Sequence, residues 1–284
     1  MPYLHAICRG RAVRLEDSLA HVLATHDYPP VIRNLLAEAL CLAALLGSLL
    51  KEDGAQATLQ AQTENGSVKL LVCDYRDGEL RGYVDFDAER LAAGPVDPSL
   101  MALFGKGYLA ITFDRPQPKG RYQGIVPLEG ASLSEAVAHY FVQSEQIPTY
   151  IRVALNGSVA GGLLVQNLPE GEEGRERLHV RLDNPEWDHV RIMAESVTEA
   201  ELTSTGLPLE HLLWRLFSEQ DKVLAEPGIS LIKGCRCDEN HIRGVIAQFP
   251  REERIEMAED DGNITIDCAF CSRKFRISPL SLDN

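Results

Sequence analysis

The sequence predicts an α+β protein in three parts: a mixed α/β core with antiparallel sheets and packed helices over residues 1–168, an acidic helical linker over 169–230, and a small C-terminal four-cysteine zinc domain over 231–284. Three observations predict it. One early stretch repeats its apolar residues at helical spacing; short β-branched or aromatic runs separated by turn residues follow it; and four of the seven cysteines crowd into the last fifty residues.

The helical stretch is Val31 to Leu50, where Val31, Leu35, Ala39, Leu42, Leu46 and Leu49 share a stripe and Pro29 and Pro30 mark the start. Its longest apolar run, Ala39 to Leu50, is about half of the roughly 20 residues a membrane span requires, so it reads as a buried helix. Ala55 to Gln62 alternates apolar and polar residues as a half-buried strand does. Val68 to Cys73, Leu80 to Phe86, Tyr108 to Phe113 and Tyr122 to Val126 are further strands, bounded by turns such as Asn65-Gly66 and Asp77-Gly78. A second helix, Leu133 to Gln143, precedes strands at Tyr150 to Leu155 and Leu163 to Leu168. Strands close in sequence and joined by short turns imply antiparallel pairing.

Pro169-Glu170-Gly171-Glu172-Glu173-Gly174 marks a boundary by composition. Trp187 to Thr198 and Leu209 to Phe217 then read as amphipathic helices. Their apolar residues Trp187, Leu209, Leu213, Trp214, Leu216 and Phe217 are expected to dock on the core, with Trp214 on the docking face. Gly105-Lys106-Gly107 and Gly161-Gly162 lack the strand-loop-helix setting of a nucleotide loop and read as turns.

The 284 residues are 45% hydrophobic, enough to bury a sizeable core. The N-terminus carries positive charge without a continuous apolar stretch, which predicts a protein that is not exported and resides in the cytoplasm. The net charge of −14 speaks against nucleic acid, whose phosphates demand a basic surface. It is uneven: −4 over residues 1–169, −8 over 170–230 and −2 over 231–284. Charge-dense segments bury apolar surface poorly, so 170–230 is the natural movable element. No Ser/His/Asp set or carboxylate pair stands out, and no enzyme activity is expected.

Cys235 and Cys237 form C-x-C, and Cys268 and Cys271 form C-x-x-C, with 30 residues between the pairs. Each pair can supply one edge of a tetrahedral Zn²⁺ site, one ion per chain. Four sulfurs leave no open position for substrate water, so such a site is structural or regulatory. Zinc keeps sulfurs as thiolates, thiolates are what oxidants attack, and each close pair can collapse into a local disulfide. Lys233, Arg236, Arg273 and Lys274 lie beside the ligands and are candidates to offset the excess negative charge, or are ordinary surface charges. Cys8, Cys41 and Cys73 sit in apolar surroundings and read as inert.

Further motifs run the length of the chain. They include His26-Asp27-Tyr28-Pro29, Leu36-Ala37-Glu38, Gly120-Arg121-Tyr122-Gln123-Gly124, Ser144-Glu145-Gln146-Ile147-Pro148-Thr149, Leu213-Trp214-Arg215-Leu216 and Cys268-Ala269-Phe270-Cys271. With these the chain resembles the redox-regulated heat-shock chaperonins of thirty-three kilodaltons, bacterial cytosolic holdases. The resemblance implies an ATP-independent chaperone that binds unfolded or partly folded client proteins, silent when reduced and zinc-bound. It implies that Cys235, Cys237, Cys268 and Cys271 are the redox switch and form two neighbouring disulfides on oxidation. The linker would then open and the active form would be a homodimer. Two rival classes share the cysteines: a zinc-ribbon nucleic-acid adaptor and a thiol–disulfide oxidoreductase.

Overall fold

The computed structural model describes residues 8–118, 120–168, 185–220 and 223–282. In chain order the core comprises β1 (Cys8–Leu15), α1 (Asp17–Leu23), α2 (Pro30–Gly47), β2 (Gln56–Gln62), β3 (Val68–Arg76), β4 (Glu79–Phe86), α3 (Ala88–Ala92), α4 (Leu100–Phe104), β5 (Tyr108–Arg115), β6 (Gly120–Pro127), α5 (Leu133–Ser144), β7 (Thr149–Asn156) and β8 (Val159–Asn167). Then come α6 (Pro185–Glu195), α7 (Glu199–Thr203) and α8 (Leu209–Phe217). The last part holds β9 (Ile232–Lys233), α9 (Glu239–Ile246), α10 (Arg251–Glu256), β10 (Ile264–Asp267), β11 (Lys274–Ile277) and a closing 3₁₀ turn, Pro279–Leu282.

Two sheets sandwich α2. One has the order β6-β5-β2-β3-β4-β9 and the other β1-β8-β7. Every core pairing is antiparallel; only the two-residue β9 joins parallel, to β4. The alternation expected in β2 is present, with Ala57, Leu59 and Ala61 buried and the residues between them half-buried. The helical period of α2 predicts one apolar stripe, yet every residue from Ala39 to Gly47 is buried, because a sheet lies on either side. By length and composition alone α2 could cross a membrane, but most of it is inside this core.

Gly161 and Gly162 are not a turn. They lie inside β8, and the reason is close approach: a Cβ on Gly162 would sit 2.6 Å from the Cys41 sulfur on α2, and one on Gly161 would sit 2.2 Å from the Leu202 carbonyl oxygen. Gly105 does serve as a bend, with φ of 57° just after α4.

The outer face of the three-stranded sheet is covered by α6, α7 and α8. Ala154, Leu163 and Val165 of the sheet pack with Trp187, Val190, Leu202, Leu212 and Leu216. Arg14 of β1 reaches across and donates to the carbonyls of Leu202 (2.9 Å), Leu207 (2.7 Å) and Glu201 (3.1 Å), capping the end of α7. The predicted helix to Thr198 stops at Glu195, because the Thr198 hydroxyl and Glu201 form a capping box that starts α7. Trp214 corrects the expectation for the docking face: it is 70% exposed, while Leu212, not anticipated there, is fully buried. Leu209, Leu213 and Phe217 border the contact, half-buried. The boundary at Pro169 to Gly174 lies outside the described residues.

Candidate metal centre

The four cysteines come from two loops. Cys235 and Cys237 follow β9 and precede α9, whose start is fixed by Asp238 accepting from the amides of Asn240 and His241, both at 3.2 Å. Cys268 and Cys271 occupy the tight connection from β10 to β11. There the Cys268 amide donates to the Arg273 carbonyl (2.9 Å), the Ser272 amide returns to the Cys268 carbonyl (2.8 Å), and Ser272 takes a positive φ of 55°. That conformation brings both sulfurs of the loop to one side.

The sulfurs of Cys235 and Cys268 lie 3.6 Å apart, as do those of Cys237 and Cys271, and all four are within 4.8 Å of one another. Zn–S bonds of about 2.3 Å in a tetrahedron require S···S edges of roughly 3.8 Å, so the donor set fits that ion. Burial works to raise the Cys235 thiol, but the amide of Cys237 and the neighbouring sulfurs outweigh it and lower its pKa to about 7. Cys237 is pushed up to about 12, by burial first and then by the sulfurs and charge of Cys235, Cys271 and Cys268. Cys271 is raised, again by burial first. Adjacent thiolates therefore resist forming together, and a divalent cation among them removes that penalty. The module's own core supports the same reading. Ile246, Ile264 and Ile277 form its buried apolar cluster, with Phe275 also buried, too little to hold so many residues without a further cross-link.

The module is seated on the β4 edge of the large sheet. Ile232 and Gly234 donate their amides to the carbonyls of Gly78 (3.0 Å) and Leu80 (2.9 Å). His26 Nε2 pairs with the Ala269 carbonyl at 2.8 Å, inside the second cysteine loop, and Ser272 Oγ donates to the Thr25 carbonyl at 3.3 Å. Asp74, its side chain 4% exposed, accepts from Thr58 Oγ1 (2.7 Å) and Arg81 Nε (2.7 Å) and holds Arg236 at 3.4 Å. Arg81 also lies over the Phe270 ring at 4.1 Å. Of the cations flagged beside the ligands, Arg236 is thus engaged with Asp74 and Glu79, and Lys233 donates to Thr25 Oγ1 and the His21 carbonyl. Arg273 stacks over Phe275 at 4.9 Å, and Lys274 is exposed.

Asp74, Arg81 and His26 are contact residues that spacing arguments pass over, because their partners are some 160 to 240 positions away. His26 and Tyr28 belong to a quoted motif; nothing local assigns them this seat. The other three cysteines stand apart from the site. Cys41 and Cys73 are fully buried and burial pushes their thiols up, while Cys8 is half-buried and raised to about 11 by burial and by Glu186. The C-x-x-C pair leads into β11, whereas a thioredoxin-type pair opens a helix.

The family profile described as Hsp33 protein matches residues 5–278. The 33 kDa chaperonin of Caulobacter vibrioides (strain NA1000 / CB15N) is 40% identical, over 95% of this chain and 91% of its own length. That of Ectopseudomonas mendocina (strain ymp) is 38% identical, over 94% and 87%. The crystal structure of a 33 kDa chaperonin from Thermotoga maritima superposes with a TM-score of 0.78 at 22% identity, covering 98% of this chain and 92% of that one, a likeness of fold.

Proposed function

The chain belongs to the Hsp33 family, and from that premise we propose that it is a redox-regulated, ATP-independent holdase of the cytoplasm, with the core, linker and cysteine module of residues 1–168, 169–230 and 231–284 as its working parts. The observation that carries the reading is the meeting of four sulfurs within 4.8 Å on a small module that rests against the core. Cys235, Cys237, Cys268 and Cys271 are the ligands. A bound Zn²⁺ would keep them as thiolates and tie the two loops together, with an apparent folding free energy on the order of 10–16 kcal/mol.

Two thiolates, two protons and one hydrogen peroxide give a disulfide and two waters, so a Cys235–Cys237 and a Cys268–Cys271 bond need two peroxides. Chain proximity favours these local pairs. Sulfurs of opposite loops also lie only 3.6 Å apart, in the Cys235 and Cys268 pair and the Cys237 and Cys271 pair, so peptide mapping of the oxidised protein is the direct check. With the ligands consumed, the module loses its cross-link, the β9 seat weakens, and the acidic linker lifts from the β1-β8-β7 face. That bares the apolar surface to which unfolding clients bind, and the freed form dimerises.

The test is light scattering from a heat-denatured client without ATP. Peroxide-treated protein at elevated temperature should suppress aggregation and reduced protein should not. Equal suppression by both would refute the switch. Turnover in an insulin-reduction assay would favour the oxidoreductase class instead.

A further inference from the structure

The geometry points to the outer edge of β4 as a docking strand for an extended segment of unfolded polypeptide, an edge that this chain covers with its own residues 229–234. The inference rests on the proposed holdase function and locates one of its binding surfaces.

β4 is the last full-length strand of its sheet. The carbonyl of Gly78, just before it, and its own outward carbonyl at Leu80 accept from Ile232 and Gly234 at 3.0 and 2.9 Å, and its outward amide at Val84 donates to the Tyr28 hydroxyl at 3.0 Å. An eight-residue strand is thus capped by a two-residue strand and one side-chain oxygen. A bare row of such groups is a template for pairing with another chain.

The longer cover, β9, belongs to the cysteine module, and the Tyr28 cover adjoins it. β9 runs directly into Cys235, and the ring of His26, which holds the Ala269 carbonyl, lies 5.0 Å from that of Tyr28. Departure of the module therefore removes β9 and frees His26 from the Ala269 carbonyl, while Tyr28 stays packed in the core beside Phe86.

The covering segment shows what the edge accepts. Ile-Ser-Leu-Ile-Lys-Gly is short and apolar; Leu231 packs against the core, and Ile229 lies alongside Gly78. Its hydrogen bonds to β4 come from its main chain, which every unfolded protein offers, and apolar side chains add to them, as in strand-addition recognition. The opposite edge of the same sheet, β6, carries no strand on its outer side among the described residues and serves as an internal control.

Hydrogen exchange of the full chain, read on peptides covering 79–86 and 120–127, tests this with reduced, carboxymethylated lactalbumin as the unfolded probe. Oxidation and heat should speed exchange in 79–86 about tenfold or more; the probe should slow it again and leave 120–127 unchanged. A synthetic peptide of residues 228–234 should displace the probe, and the same peptide N-methylated at Ile232 should not. If the oxidised protein suppresses aggregation while the probe leaves 79–86 unprotected, or protects 120–127 equally, the edge is not the docking strand and the chaperone reading stands. Protection of 79–86 in oxidised protein without probe assigns the edge to a second copy and overturns the inference. Absence of suppression overturns the functional reading and this inference with it.

Discussion

Single residues set how tightly the layers meet. Glycines are where sequence misleads, since Gly161-Gly162 looks like a turn and is instead the spot where β8 touches both α2 and α7; a missing Cβ looks the same in either role. Glu38 is the converse, a part-buried charge on α2. Its carboxylate accepts from the Ser134 amide (2.9 Å) and hydroxyl (2.7 Å) at the start of α5. Burial nevertheless holds its pKa above the usual carboxylate range. A raised acid favours the folded state while it is protonated, at and below its ordinary pKa, and that advantage is lost as pH rises through the raised value. Glu38→Gln keeps the acceptor oxygen without the charge. At pH 7.5 it should gain about 1 kcal/mol, or a Tm rise of roughly 2–4 °C, falling to nothing near pH 4. Thermal melts at the two pH values check it, and an equal shift at both would show that the charge is not the cause.

At the scale of elements, legibility follows length and locality. α2, α5, α8 and most core strands are readable because each carries several periods of its own pattern. α7, β9 and the short elements of the cysteine module carry few periods of their own: α9 starts at the Asp238 cap and turns only Ile242 and Ile246 inward, and α10 starts at Pro250. Within α8 the pattern fixes the helix but not which residues of its apolar side turn furthest inward, because Leu209, Leu212, Leu213, Trp214, Leu216 and Phe217 make that side wide, with Trp214 at one edge. The structure decides for Leu212 and Leu216 against Trp214. Burying Leu212 is worth about 1.5–3 kcal/mol, and a buried unpaired carboxylate adds several more against docking. Leu212→Glu should therefore raise the undocked population of the reduced protein by roughly 10- to 100-fold or more. Aggregation assays under reducing conditions should find that variant active with its zinc retained, and Trp214→Glu as silent as the parent. The reverse order would place the docking face on the other side of α8.

Among the described residues the whole molecule is a sheet–helix–sheet core, with α6, α7 and α8 covering the β1-β8-β7 face and the cysteine module covering the β4 edge. The four cysteines are legible in the sequence because each close pair is local and has a spacing that suits metal binding. The seat on the core is not, since Asp74 to Arg236 and His26 to Ala269 are contacts between distant parts of the chain. On the proposed function, the four-cysteine cross-link holds both covers in place. The most direct test follows zinc release with a chromophoric chelator and aggregation suppression on the same samples, as peroxide is titrated at elevated temperature. One zinc per chain is expected at the start, with chaperone activity rising in step with its release. Full activity with zinc still bound, or complete zinc loss with no activity, would contradict it.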